Sequence, residues 1–520
     1  MGNWAQLLEE RAVKLKDKPF LYLVYQDRSI SYAEMDKNAN RLANYLLKIG
    51  AKPGDGIATL MNNSSQFLDI FFGIQKIGMY VNTVNTSLRG DQLAYTIDNS
   101  DTKYLAVDYD LLDVYETVKY RLPKVERVFL NTLEAPIGFT IPTGMTDLKD
   151  AYAARISTDK PVIDFDENSI LMLMYTSGTT GLPKGVVMRY NKNIIDRVKM
   201  IAALTLTPDS VYYTALQLFH GNALFVTVTS SMIMGCTVAL SKRFSASKFW
   251  EEITKSKTTF FNTIGAIIPI LMKQPESPYE KSHKVDKILS AGCPAVQWKP
   301  FEERFGVKIW EAYAAIDGSG FIVNFGDGPK GSIGKPLNSV IKLVNANGDE
   351  VLTGDTGELL FKVDPNKRSN VEYYKNPDAS GEKTKGEWEY TGDLMYQDSQ
   401  GYIYFVGRST DSMRRRGENV SAHDVEQAIL KHPSVLEAAV YAVPSEMTED
   451  EIMASVKLVE GESLSGVELF SFLHDKLAKF AIPRFIRFVD DFPRTETFRI
   501  KKGELKSTGV TPDTFDAERT

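Results

Sequence analysis

Leu173-Met-Tyr-Thr-Ser-Gly-Thr-Thr-Gly-Leu-Pro-Lys-Gly-Val-Val187 begins as an apolar strand and empties into hydroxyls, glycines and one lysine. Backbone N–H groups freed by Gly178, Gly181 and Gly185 can form an anion-binding nest. The hydroxyls of Thr176, Ser177, Thr179 and Thr180 can donate to phosphate oxygens, and Lys184 adds a charge. The pattern therefore reads as a polyphosphate cradle and marks the chain as a candidate user of ATP. Its spacing is neither the G-x-x-x-x-G-K-[ST] of a P-loop nor a dinucleotide fingerprint.

Outward from that loop, 520 residues with 43% hydrophobic and 25% charged content describe a globular chain too long for one core, so two or more domains are expected. A formal charge of −6 lacks the basic field that steers nucleic-acid binding, and no nucleic-acid partner is expected. Two cysteines, Cys236 and Cys293, make no disulfide framework or metal spacing, which suits a reducing cytoplasm. The first residues, Met-Gly-Asn-Trp-Ala-Gln, lack the basic and apolar regions of a secretory signal. Val211 to Ser241 holds no Asp, Glu, Lys or Arg, yet Gln217, His220, Asn222 and repeated Thr and Ser dilute it below a membrane span. It reads as buried interior. Contact with a membrane surface, to collect a lipid substrate, stays open, as does pairing into a homodimer.

Ser31-Tyr-Ala-Glu34 is a capping box ahead of a helical stripe at Ala39, Leu42, Ala43, Leu46 and Leu47 that Gly50 ends. The runs Gly56 to Met61, Tyr104 to Val107, Val128 to Leu130 and Ile170 to Met174 alternate with helical patterns and predict parallel α/β layers. Past Arg408 the texture changes. Ser421 can cap a helix carrying Val425, Ala428 and Ile429, Glu437 to Val443 reads as a strand stopped by Pro444, and a small α+β domain follows. Its remainder offers strands near 455–459 and 485–489 and a helix from about 464 to 479.

Tyr175 to Gly185 resembles the phosphate-binding signature of the adenylate-forming superfamily of acyl-CoA synthetases, luciferases and peptide-synthetase adenylation domains. Leu218-Phe-His-Gly221 is similar to its gate motif, Ser290-Ala-Gly-Cys-Pro294 to its adenine-side loop, and Gly386 to Leu394 to its ribose-binding aspartate motif. Gly407 to Asp411 and Arg416 to Ser421 resemble its hinge and the loop after it, so the likeness covers nearly the whole chain. The resemblance implies an α/β fold: a large N-terminal domain (1–408) of layered α/β subdomains plus a small β-barrel, and a small mobile C-terminal α+β domain (409–520). It also implies ATP, Mg²⁺ and coenzyme A as cofactors and a small carboxylic acid as the partner.

Adenylation requires a carboxylate to attack the α-phosphorus while pyrophosphate leaves, so spreading negative charge must be neutralised and the reactants held in line. By resemblance Thr176, Ser177, Gly178, Thr179, Thr180, Gly181 and Lys184 meet the phosphates, Ala291, Gly292, Cys293 and Tyr313 meet adenine, and Asp393 accepts both ribose hydroxyls beside Arg408. Thr176 and Asp317 are the expected Mg²⁺ donors. In Tyr313-Ala-Ala-Ile-Asp317-Gly318 three positions depart from the family pattern of aromatic, glycine, threonine and glutamate. Ile316 has no hydroxyl, and Asp317 is one methylene shorter than glutamate.

In Phe492-Pro-Arg-Thr-Glu-Thr-Phe-Arg-Ile-Lys-Lys502 register places Arg499 where the family usually carries a catalytic lysine. A planar guanidinium keeps the charge but not the shape. Arg499 is the expected cation, with Lys501 or Lys502 as alternatives under a small shift of the loop. For thioester formation the resemblance implies a swing of the small domain about Ser409 and Thr410, which withdraws Arg499 and presents Gly417, small enough for a pantetheine thiol to pass. Arg414, Arg415 and Arg416 read equally as coenzyme A phosphate contacts and as a solvated face.

The acid pocket implied by resemblance is walled by His220, Phe261, Asn262 and Gly265 with Ala291 and Gly292, mainly apolar or small residues that suit an uncharged acyl group. Asn82 to Arg89 and Thr495 to Phe498 look like the fatty-acid-transport and very-long-chain branch, with some likeness to carnitine-type ligases. An acyl-CoA ligase is the leading reading. An adenylating enzyme that loads a carrier-protein thiol or stops at acyl-AMP is a second, and a non-catalytic nucleotide- or acyl-binding protein a third.

Overall fold

Helix and strand patterns that alternate over the first 320 residues resolve into two large sheets with helices between and around them. The structure is a computed structural model that describes residues 3–176, 183–190, 194–265, 267–318, 320–363, 371–408, 412–415, 418–444, 450–474, 476–477, 479–495 and 499–519. One seven-stranded sheet runs in spatial order Thr146–Asp147, Arg127–Asn131, Tyr104–Asp108, Gly56–Leu60, Tyr80–Thr83, Ile170–Thr176 and Lys184–Arg189. Its pairs are parallel except the last, where Ile170–Thr176 and Lys184–Arg189 form an antiparallel hairpin around the glycine-rich stretch. The four strand-like runs read from sequence all lie in this sheet.

The second sheet has nine strands, and its centre, Val211–Thr214, Phe260–Ile264, Lys287–Ala291 and Lys308–Tyr313, is parallel. Helix Ser65–Gln75 is buried at every residue, because both of its faces carry large apolar side chains. Together with Tyr32–Lys48 it joins one continuous core to which both sheets contribute, including Phe20, Leu21 and Val238 from one and Ile57, Val81 and Met172 from the other. Tyr32–Lys48 starts where the sequence indicates: Ser31 Oγ accepts from Glu34 N at 3.1 Å. The uncharged stretch after Val211 is interior, built of Val211–Thr214, a wide helical turn Asn222–Thr229, Ser230–Met234 and Thr237–Leu240. Among the described residues no helix is long and apolar enough to cross a membrane.

The small β subdomain expected of the large domain is a five-stranded antiparallel sheet of Ile341–Val344, Gly357–Lys362, Thr384–Lys385, Trp388–Gln397 and Ile403–Arg408. Beyond it a separate core, with Val425, Ile429, Val440, Ile452, Leu469 and Ile486 at its centre, belongs to the small domain. Strands Val435–Pro444, Asp450–Leu458, Phe485–Phe488 and Phe515–Asp516 form its sheet. Val435–Pro444 ends at Pro444, which pairs with Asp450, as its sequence indicates. The helix read at about 464–479 is shorter, Gly466–His474.

Candidate functional site

Parallel strands deliver their loops to one edge, and in open α/β sheets ligands bind there, outside the carboxyl ends. Ile264 is in register with Ala291, and Ser290 with Glu311, so the residues following Phe260–Ile264, Lys287–Ala291 and Lys308–Tyr313 emerge side by side. These are Gly265, Gly292 with Cys293, and Tyr313 with Asp317. Gly265 N donates to Ala291 O at 2.8 Å, and a Cβ at Gly265 would overlap the Gly292 carbonyl oxygen. Glycine is required there because two backbones touch. Gly292 itself has φ of +92°.

Glu311, which the sequence reading missed, holds that loop from beneath. Its buried carboxylate accepts from Gly292 N through Oε1 and from Cys293 N through Oε2 at 3.1 Å. Burial pushes its carboxyl up to about 7 even though both N–H groups favour the charged form. A glutamate among the apolar and aromatic residues Ile309, Trp310, Ala312 and Tyr313 was the signal available. Two residues further on, Tyr313 donates its hydroxyl to Asp393 Oδ2 at 2.5 Å, and Arg408 Nε lies 3.1 Å from Asp393 Oδ1. Asp393 and Arg408 are paired across adjacent strands, and Asp393 is 4% exposed. Tyr313, Asp393 and Arg408 thus form one cluster beside the Ala291, Gly292 and Cys293 loop. Burial, then Asp393, drives the Tyr313 phenol well above its ordinary value, so it is a donor throughout the accessible pH range.

On the other side of this edge, His220 follows Val211–Thr214. Its Nε2 is buried without a hydrogen-bond partner, and burial lowers the imidazole to about 4, which leaves it neutral near pH 7. Gly221 faces Ile316: a Cβ there would lie 3.0 Å from Ile316 Cδ1. Asn262 donates to Asn222 Oδ1 and accepts from Thr227 Oγ1 at 3.0 Å, so its amide is spent within the protein. Phe261 points to the opposite sheet face. It is fully buried, with its ring 5.1 Å from Phe249 and 5.9 Å from Trp250. Alternation along the strand places it in the helix-covered core, away from the pocket wall expected of it.

Thr176 and Lys184 are in register at the mouth of the hairpin, with Thr176 Oγ1 3.4 Å from Lys184 O. Ser177, Gly178, Thr179, Thr180 and Gly181 between them lie outside the described residues, as does Gly417. Lys184 Nζ sits 5.3 Å from the centre of the Tyr373 ring, and Tyr373 donates its hydroxyl to Asp317 Oδ2 at 2.6 Å. Lys383 Nζ is 3.4 Å from the same oxygen. Burial works to raise Asp317, but Lys383 and the Tyr373 hydroxyl outweigh it and hold the carboxyl below its ordinary value. Tyr373 and Lys383 gave no sequence signal, because they arrive from a distant segment.

In the small domain, Lys501 pairs with Glu504 at 2.8 Å and Lys502 with Glu426 at 2.7 Å. Arg499 is exposed, its N–H donating to Thr495 Oγ1 at 3.1 Å. Both lysine alternatives are therefore engaged in structural ion pairs.

Family models match residues 8–365 as AMP-binding enzyme and 424–499 as AMP-binding enzyme C-terminal domain. The chain belongs to the AMP-binding enzyme family. Crotonobetaine/carnitine–CoA ligase of Salmonella typhimurium is 30% identical over 489 residues, spanning 92% of this chain and 93% of the relative. Among solved structures, the anthranilate CoA ligase AuaEII in complex with anthranoyl-AMP has a TM-score of 0.86 at 25% identity, covering 97% of this chain and 96% of that one. ATP-bound MatB from Rhodopseudomonas palustris has a TM-score of 0.82 at 25% identity, covering 98% and 99%. Membership and these relatives make the chain an ATP-dependent, AMP-forming acyl-CoA ligase whose substrates are ATP, coenzyme A and a small carboxylic acid.

The donor set also fits a magnesium ion. Among the described residues no group of three His, Cys, Asp or Glu side chains could form a protein cage for a metal. Mg²⁺ asks for less: one or two hard oxygens, with waters and substrate phosphates completing the octahedron. Asp317 and the Thr176 hydroxyl are oxygens of that kind.

Proposed function

We propose that this ligase activates a carboxylic acid with a mainly apolar acyl group, fatty or similar in character, and passes it from the adenylate to coenzyme A. The observation that carries the reading is the buried Asp393 carboxylate between Tyr313 and Arg408, beside a loop fixed by Glu311. Each Asp393 oxygen keeps a further lone pair, enough to accept from two vicinal ribose hydroxyls. Adenine then lies between Tyr313 and the Ala291, Gly292 and Cys293 loop. Lys184 and the hydroxyls around it take the β- and γ-phosphates, with Mg²⁺ on Asp317 and Thr176. Mg²⁺ supplies charge neutralisation at the phosphates when bound.

Arg499, exposed on the small domain at the position where the family usually carries a lysine, is the mobile cation of the first half-reaction. Domain movement about a boundary at 408/409 replaces it with the Gly417 loop for the thiol. An apolar acyl group is supported by the neutral His220 and by Ile316, which packs where a hydroxyl residue was expected. Two free, buried cysteines fit a cytoplasmic setting. A quaternary-ammonium acid of the carnitine kind is the second reading, favoured by the relative of that name. A panel of fatty, aromatic and carnitine-like acids, assayed for coenzyme A thioester products, separates the two. Turnover confined to the cationic acids would overturn the first.

A further inference from the structure

Residues 371–376 form a strap across the outside of the phosphate hairpin. Val187 N donates to Glu372 O at 2.8 Å and Tyr374 N to Gly185 O at 2.7 Å, while Val186 and Tyr373 form an antiparallel bridge. Arg189 grips Glu372 with both Nε, at 2.9 Å, and Nη2, at 2.5 Å. Further along, the Tyr374 hydroxyl donates to Asp101 Oδ2 at 2.7 Å and Lys375 Nζ to Asp101 Oδ1 at 2.7 Å. Five side chains and the backbone thus fix the strap at both ends, and Tyr373 between them is 7% exposed.

Tyr373 spends that rigidity in two directions. Its hydroxyl donates to Asp317, and one ring face carries the Lys184 ammonium. Its ring shares a small apolar cluster with Val186 and Ala379, against which Ile316 packs. A lysine on a four-carbon stem and a carboxylate on a loop have no common backbone to set their separation; one aromatic residue touching both does. A buried tyrosine with a satisfied hydroxyl is ordinary packing. What distinguishes this one is that both of its polar contacts are residues the proposed phosphate chemistry uses.

We propose that Tyr373 is a positioning residue for the triphosphate, holding Lys184 and Asp317 at a fixed separation so that both meet ATP without being ordered on binding. The inference rests on the functional reading above. Preorganisation of this kind appears in binding rather than in fold stability. It is tested by calorimetric titration of ATP into wild type, Tyr373→Phe and Tyr373→Leu, with Mg²⁺ and with chelator, alongside melting temperatures and KM values for ATP, acid and coenzyme A.

Tyr373→Phe keeps the ring under Lys184 and loses the Asp317 contact. It should raise the half-saturating Mg²⁺ concentration several-fold, with little change in ATP binding in chelator. Tyr373→Leu loses both contacts and should weaken ATP binding about tenfold in either condition, while KM for coenzyme A with supplied acyl-AMP is unchanged. Wild-type ATP and Mg²⁺ binding in both variants would overturn the proposal, and so would KM values for ATP, acid and coenzyme A that rise together with a falling melting temperature. A wild-type enzyme that binds ATP but releases no pyrophosphate with any acid would instead overturn the functional reading beneath it.

Discussion

On the proposed nucleotide side of the cleft, charged and hydroxyl groups reach one another across strands: Glu311 to the Gly292 and Cys293 amides, Tyr313 and Arg408 to Asp393, Tyr373 and Lys383 to Asp317. On the proposed acyl side the contacts are steric. Gly265 lies against the Gly292 carbonyl, Gly221 against Ile316, and His220 keeps an unpartnered Nε2. Polar networks specify orientation because each member must find its partner, whereas apolar packing specifies volume and tolerates exchange. Under the proposed reading one side recognises a constant molecule and the other is shaped around a variable one. Ligases named for crotonobetaine or carnitine and for anthranilate are both similar to this chain.

Replacing Asp393 breaks the polar side at its centre. Asp393→Ala removes the acceptor for two ribose hydroxyls and strips Tyr313 and Arg408 of a shared partner. Hydrogen bonds to charged groups are worth about 1.5–3 kcal/mol each, so acid-dependent pyrophosphate release should fall about 10³-fold or more, with thioester formation from supplied acyl-AMP lost as well. Near-normal adenylation would remove the ribose role. Arg499→Ala separates the half-reactions instead. Losing a cation aimed at developing charge should slow acyl-AMP formation about 100-fold and leave the thioester step from supplied acyl-AMP much less affected. Equal loss in both assays would take Arg499 out of that role.

The sequence carried the polar side unevenly. Asp393, Arg408 and Tyr313 announce themselves through local motifs, and the strands that position them were legible from apolar runs such as Ile170 to Met174. Glu311 was half visible as a charge in an apolar strand. Tyr373 and Lys383 were not, because nothing within thirty residues of either mentions Asp317; only the strap's pairing with Lys184–Arg189 brings them there. Phe261 misled for a physical reason. Phe260 and Phe261 are adjacent and alike, and which of them faces the cleft depends on register with neighbouring strands, which a single strand does not contain. The expected phosphate contacts at 177–181 lie outside the described residues.

The steric side has its own breaking point. At Gly265→Ala the new methyl overlaps a backbone carbonyl, which no rotamer change relieves, so the Gly292 loop must move at a cost of about 1–3 kcal/mol. The expected result is a lowered melting temperature and a KM for the acid raised about tenfold, with ATP binding in the absence of acid changed less. A larger effect on ATP than on acid would place this glycine with the nucleotide side and blur the division.

Glu311→Gln sharpens the comparison with the smallest effect. The carboxyl titrates at about 7 in the folded chain against an ordinary value of 4.5. Between those two values the folded state holds a proton that the unfolded state has released, so stability falls as pH rises through the window. The stabilising contribution is complete below about pH 4.5 and lost above about pH 7. Asp69, raised to about 7, and Asp108, raised to about 6, add slopes of the same sign, while His220, lowered to about 4, adds the opposite one. These groups remain in the variant, so the difference between wild type and Glu311→Gln isolates one carboxyl. Melting temperatures from pH 5 to 7.5 should therefore fall less steeply in the variant. Its amide accepts through a single oxygen, which leaves one of the Gly292 and Cys293 N–H groups without its acceptor and should raise KM for ATP a few-fold at every pH. Parallel melting curves would show that Glu311 ionises in the folded chain at its ordinary value. Both loop N–H groups would then be held by a charged carboxylate across the whole range.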